Sequence, residues 1–211
     1  MFIEPNQHKA HGLPYNPFKA LVAPRPIAWI SSLSADGIVN VAPYSFYNAV
    51  ADQPPIVFFA PNGPSRKDGV KDSQRNAEET GEFVVNVPTW DLRGEMNETS
   101  APLPADVSEA EVAGLKLAPC EKVKPPRLAD APVSLECRYL QTVEFPAEGT
   151  MRGNFVVFGQ VVGIHIADSA VTSDGMVDPT RYKPIARLGY MDYTVVESLF
   201  AIERPKGAQA P

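Results

Sequence analysis

Cysteine and histidine are scarce in this 211-residue chain, with two of the first and three of the second. Cys120 and Cys137 have no CxxC spacing and no histidine cluster near them in sequence, so neither a thiol redox motif nor a zinc site of usual spacing is indicated. Cys137 lies in PVSLECRYL and reads as a small buried hydrophobe; a disulfide is unexpected in a reducing compartment. His8 and His11 have the i, i+3 spacing of a metal pair, but they stand in an arm broken by proline and glycine with no third ligand. No metal is expected. The 14 glycines form neither GxGxxG nor GxxxxGK[ST], which excludes the common dinucleotide and P-loop cradles. No GxSxG marks a serine nucleophile. No apolar run approaches the roughly 20 residues of a membrane helix. Only 21% of residues are charged and the formal net charge is −6, which argues against nucleic acid as a partner. The first residues lack the charged-then-apolar order of a secretory signal, so a cytoplasmic location is expected.

Proline, by contrast, is abundant: 22 residues, about twice its usual share of about 5%. The prolines are scattered and punctuate strands and loops. Runs at 26–33, 38–50, 55–60, 82–87, 133–144, 155–166 and 191–196 are rich in β-branched and aromatic residues and read as strands. Asp36-Gly37 is a favoured hairpin pair. Residues 70–80 read as a helix capped by Asp68 and ended by Gly81. Shorter helices are expected at 92–98 and 108–113, the latter with a Ser108/Glu111 capping box. Strands do not alternate regularly with helices, which favours an antiparallel barrel with inserted helices over a doubly wound sheet. One domain is expected over 19–200, with an arm at 1–18 and a mobile tail at 201–211.

The stretch PRPIAWISSLSADGIVNVAPYSFYNAVADQPPIVFF, residues 24–59, sets Ser31, Ser32, Ser45 and Asn48 inside strand-like runs. A cluster of Arg66, Lys67, Lys71 and Arg75, with hydroxyls at Ser65 and Ser73, follows at a helix start. Free amides and the positive dipole end at such a start favour a phosphate, and basic side chains add charge-assisted bonds. A solvated basic face is the plainer account of the cluster, as an edge strand is of Ser45 and Asn48. With no nucleophile constellation, a cofactor is expected to carry any hard chemistry.

These stretches, followed by Lys71-Asp72-Ser73, Asn76 and GEFVVNV, resemble the flavin reductase-like family of FMN-binding split-barrel proteins. Met96-Asn97, Thr99-Ser100, Pro125-Pro126-Arg127, Leu135-Glu136-Cys137, Gly159-Gln160-Val161 with His165, and PIARLGY continue the match in order. The resemblance implies a mainly β fold, a six-stranded antiparallel Greek-key split barrel that forms a homodimer with FMN near the interface. It implies an NAD(P)H-dependent flavin reductase passing a hydride from NADH or NADPH to flavin N5, and then electrons to a small-molecule or protein acceptor. The alternative is a non-enzymatic protein of the same fold that carries electrons on FMN or stores it. Carried over by position, Trp29, Ile30, Ser31, Ser45, Asn48, Ala49 and Val50 would border the ring and ribityl chain, largely through backbone groups. Ser65, Arg66, Lys71 and Ser73 would form the phosphate site, with Asp72 helping to fix the loop. Arg25, His165, Arg187 and Tyr190 are candidates for the flavin face that meets nicotinamide.

Overall fold

The structure is a computed structural model and describes residues 1–62, 70–148, 153–203 and 205. Its strands are β1 (Arg25–Pro26), β2 (Ala28–Leu33), β3 (Val39–Tyr44), β4 (Tyr47–Asp52), β5 (Pro55–Phe59), β6 (Glu82–Asn86), β7 (Leu117–Ala118), β8 (Arg127–Leu128), β9 (Val133–Phe145), β10 (Asn154–Ile166), β11 (Ile185–Arg187) and β12 (Tyr193–Val195). The helices are α1 (Phe18–Leu21), α2 (Asp72–Thr80), α3 (Arg93–Glu98), α4 (Glu109–Val112) and α5 (Pro179–Tyr182).

Seven strands pair antiparallel in the order β3-β2-β6-β9-β10-β5-β4. The expected strand 38–50 is broken at Ser45 and Phe46 into β3 and β4, and these form opposite edges of the sheet. Edges joined by so short a link can lie that far apart in pairing order only if the sheet curls round on itself. The result is an antiparallel barrel, split where β3 and β4 part. It has seven strands where six were expected, because one stretch of sequence serves both edges. β1, β11 and β12 form a separate small sheet, and β11 was not anticipated.

Alternation sends the residues of β2 into two different cores. Ala28 and Ile30 pack inside the barrel with Phe59, Phe83, Val85, Cys137 and Val157. Trp29 points the other way, into a layer with Val41, Leu128, Met96 of α3, Ala110 of α4 and Ile185 of β11. The chain between β6 and β9 thus covers the outer face of β2 and β3. Inside, Phe59 meets Phe83 edge-on at 5.2 Å. Gly159 leaves room for that ring, since a Cβ there would stand 2.4 Å from it.

The local signals mostly form as expected. Gly37 takes φ 86° in the β2–β3 turn, and Gly81 takes φ 76° at the end of α2, conformations that favour glycine. Asp68 lies outside the described residues; Lys71 is the N-cap of α2 and makes no side-chain cap bond. The Ser108 capping box does not form. Ser108 is the N-cap of α4 without a side-chain cap bond, while Glu109 turns its carboxylate to accept the Val41 amide at 3.1 Å. The helix is thereby tied to β3 rather than closed on itself.

Candidate functional site

β3, the start of α2 and the segment after α3 enclose a cavity of about 500 Å³. Asn40, Ala42, Pro43 and Tyr44 form one wall, Thr99 to Leu103 another, and Lys71 and Asp72 one end. At Pro43 and Ser100 it meets a second cavity of about 380 Å³, lined by Ile27, Ser45, Met96, Asn97, Arg187, Met191 and Tyr193. Together they make an elongated groove with a cationic helix start at one end and an arginine beside an aromatic ring at the other.

The polar floor is a single hydrogen-bond network. Ser73 is fully buried, and its hydroxyl oxygen accepts from Asn40 at 2.8 Å and Tyr44 at 3.0 Å. Asn76 donates to Ser32 at 3.1 Å, tying α2 to β2 as well. Burial first, then the nearby carboxylates of Asp72 and Glu109, push the Tyr44 phenol well above its usual range, so it stays a donor. Asp72 pairs with Arg75 at 3.1 Å.

The structure brings Lys71, Asp72, Ser45 and Arg187 to the groove. Ser73 lies beneath it and seats the helix instead of facing a ligand. Ser65 and Arg66 lie outside the described residues. Trp29, Ile30 and Ser31 are corrected: all three are fully buried, and their backbones pair with β3 on one side and β6 on the other. A central strand has no groups to spare. Trp29 donates its indole N–H to Thr99 at 2.9 Å. Ser31 donates to the Pro126 carbonyl at 2.6 Å and accepts from Asn86 at 3.0 Å. Asn48, Ala49 and Val50 are exposed on β4, the sheet edge, and line neither cavity.

Among the flavin-face candidates, Arg187 alone lines the groove. Its guanidinium lies 4.4 Å from the Tyr193 ring centroid and donates to the Tyr193 hydroxyl and the Tyr190 carbonyl. Arg25 is buried and spent as a clasp: it donates to the carbonyls of Lys19, Val22 and Leu188. Burial, then the charge of Arg187, lowers its pKa from the usual guanidinium value. Its Nε also reaches Ser45 at 3.5 Å, so it positions a groove hydroxyl without meeting the groove itself. The Tyr190 ring packs on Tyr15 of the arm, 5.6 Å between centroids.

His165 is held elsewhere. Its Nε2 lies 2.5 Å from Glu136 Oε1, and Glu136 also accepts the amides of Glu121, Lys122 and Val123. Cys120 completes a group whose ligand atoms lie within 4.8 Å of one another, a proximity that sequence spacing hides. Both Glu136 oxygens are engaged in these bonds, and burial, then the Glu136 charge, pushes the Cys120 thiol up to about 11. This group locks the 121–123 loop onto β9.

Sequence reasoning missed Asn40, Pro43, Tyr44, the 99–103 segment, Glu109, Met191 and Tyr193 as groove walls. Met96-Asn97 and Thr99-Ser100 were visible as motifs, but nothing in a short helix and its end says that they face β3.

The sequence pattern of the flavin reductase like domain matches residues 21–186. The chain belongs to the flavin reductase-like family. An uncharacterized protein of Halalkalibacterium halodurans is 36% identical over 189 residues, covering 89% of each chain. Flavin reductase-like folds also appear among similar solved structures. Nitrilotriacetate monooxygenase component B from Bacillus cereus superposes with TM-score 0.84 at 31% identity, covering 96% of this chain and 98% of that one. Pseudomonas fluorescens 2-nitrobenzoate 2-nitroreductase superposes with TM-score 0.80 at 26% identity, covering 100% and 99%. No helix among the described residues is long and apolar enough to cross a membrane.

Proposed function

We propose that this flavin reductase-like protein binds FMN in the groove and reduces it with NADH or NADPH, passing the electrons to a small-molecule or protein acceptor. One observation carries the reading: the groove joins a cationic helix start to an open end walled by Ser45, Arg187 and Tyr193. The residues suit a long ligand with a phosphate tail and a planar head. Lys71, with the positive end of the α2 dipole behind it, would hold the phosphate. Met96 and Met191 give the head apolar walls, while the Ser45 hydroxyl and Asn97 amide offer hydrogen bonds. When bound, FMN supplies the hydride-accepting centre that no side chain here provides. A homodimer with the groove near its interface belongs to the same proposal. The exposed apolar residues Leu140, Phe145, Ile164 and Ile166 on β9 and β10 support the dimer itself.

The test is direct. The purified protein, supplied with FMN, is expected to show a bound-flavin spectrum that NADH or NADPH bleaches without oxygen. A yellow protein that neither nucleotide bleaches would replace the reductase with an FMN-holding electron carrier or store. Failure to bind FMN would sink both.

A further inference from the structure

Beyond the flavin groove lies a third cavity of about 340 Å³, lined by Trp90, Arg93, Met96, Asn97, Tyr193 and Val195 among others. It shares Met96, Asn97 and Tyr193 with the open end of the groove. We infer that this cavity is a binding site for a monocyclic aromatic carboxylate, seated with its ring among Trp90, Tyr193 and Met96 and its carboxylate on Arg93.

Three observations support this. Trp90 is 47% exposed, unusual for so large an apolar side chain. It does not hang free: its amide donates to the Lys183 carbonyl at 3.0 Å, and Thr89 bridges to Pro184. The backbone beneath the indole is thus held, while the ring is open to solvent. Second, the Arg93 guanidinium carbon lies 4.0 Å from that ring's centroid, and the group donates to the Trp90 carbonyl. A stacked guanidinium keeps its remaining N–H edge free for a carboxylate fork. Third, the charge is unmatched. The ion pairs among the described residues are Arg75–Asp72, Lys116–Asp130 and His165–Glu136, and Arg93 is in none.

An apolar, aromatic-walled cavity of this size with a single cation selects one planar acid. The nicotinamide ring carries no negative charge for Arg93 to meet and is positive when oxidised. The site stands beside the flavin only if the proposed function holds; the binding itself does not depend on it.

The experiment titrates benzoate and benzylamine into the whole protein, with and without FMN, by calorimetry and tryptophan fluorescence. Trp29 is buried, so a solute can touch only Trp90 of the two tryptophans. Benzoate is expected to saturate and perturb the Trp90 emission, with benzylamine at least ten-fold weaker. Arg93→Gln is expected to lower benzoate affinity at least ten-fold, about 1.4 kcal/mol, while FMN titrates as in the parent protein. Equal binding of the two probes, no saturable benzoate binding, an unchanged Arg93→Gln variant, or competitive displacement of benzoate by NADH would each overturn the inference. Because the titration is also done without FMN, its failure leaves the flavin proposal standing, and the reverse.

Discussion

At the scale of single residues, Glu136 shows how much one buried carboxylate organises. Burial alone would raise its pKa, but the amides of Glu121 and Lys122 and the His165 ring more than offset that and hold it below the ordinary carboxylate value. A depressed folded pKa means the anion contributes stability above the unfolded value of about 4.3. That contribution is lost as pH falls through the lower, folded value. Replacing it by Glu136→Gln sets an amide NH₂ against donors that need an acceptor, and a loss on the order of 3 kcal/mol is expected at neutral pH. Urea unfolding from pH 7 to pH 3 checks this: the gap between parent and variant should hold down to about pH 4 and then narrow. A gap independent of pH would show that the charge is immaterial. Leu135-Glu136-Cys137 stood out in the sequence, yet its partners lie 13 to 29 positions away, so its role was not legible there.

At the scale of elements, α2 has two tasks, and different residues perform them. Ser73 seats the helix through Asn40 and Tyr44, whereas Lys71 faces the groove. Ser73→Ala is expected to cost about 1–2 kcal/mol in denaturant unfolding, because two buried donors lose their acceptor. Lys71→Ala should leave stability within about 0.5 kcal/mol and weaken FMN binding about ten-fold, the loss of one charge-assisted contact, read by flavin fluorescence titration. If Ser73→Ala weakened FMN binding with no cost in stability, the division would fail. The arm is held by a different device. A Cβ on Gly189 would meet the Ala20 backbone at 2.7 Å, so Gly189→Ala is expected to lift α1 and expose the arm to limited proteolysis while the barrel stays intact. Element positions were largely readable, because period-two strands and glycine stops are local signals. What they pack against was not. The seryl and tryptophanyl positions of β2 looked like a ligand bed because a strand buried on both faces, with Asn86 satisfying its polar groups, leaves no periodic trace.

At the scale of the whole molecule, the barrel solves an edge problem by joining its two edge strands through Ser45 and Phe46. Closure leaves apolar side chains of the long β9–β10 hairpin exposed. Ile164 is 60% exposed and Ile166 41%, two positions apart and so on one face. Ile164 is paired with Leu135 and Ile166 with Val133, which makes a stripe rather than isolated contacts. Such a stripe on a long hairpin is what an isologous two-fold contact would bury. The parent protein is therefore expected to run in light scattering at twice the 22.9 kDa chain mass. Ile164→Glu, placing one charge on each side of the two-fold, should shift it to the monomer with its circular dichroism unchanged. A parent protein that is monomeric at every concentration would remove the dimer from the proposal while leaving the groove as it stands. A variant that dimerises as before would move the interface off this hairpin face. Measured alongside, the FMN affinity of the monomeric variant separates a groove that is complete in one chain from one that needs its neighbour.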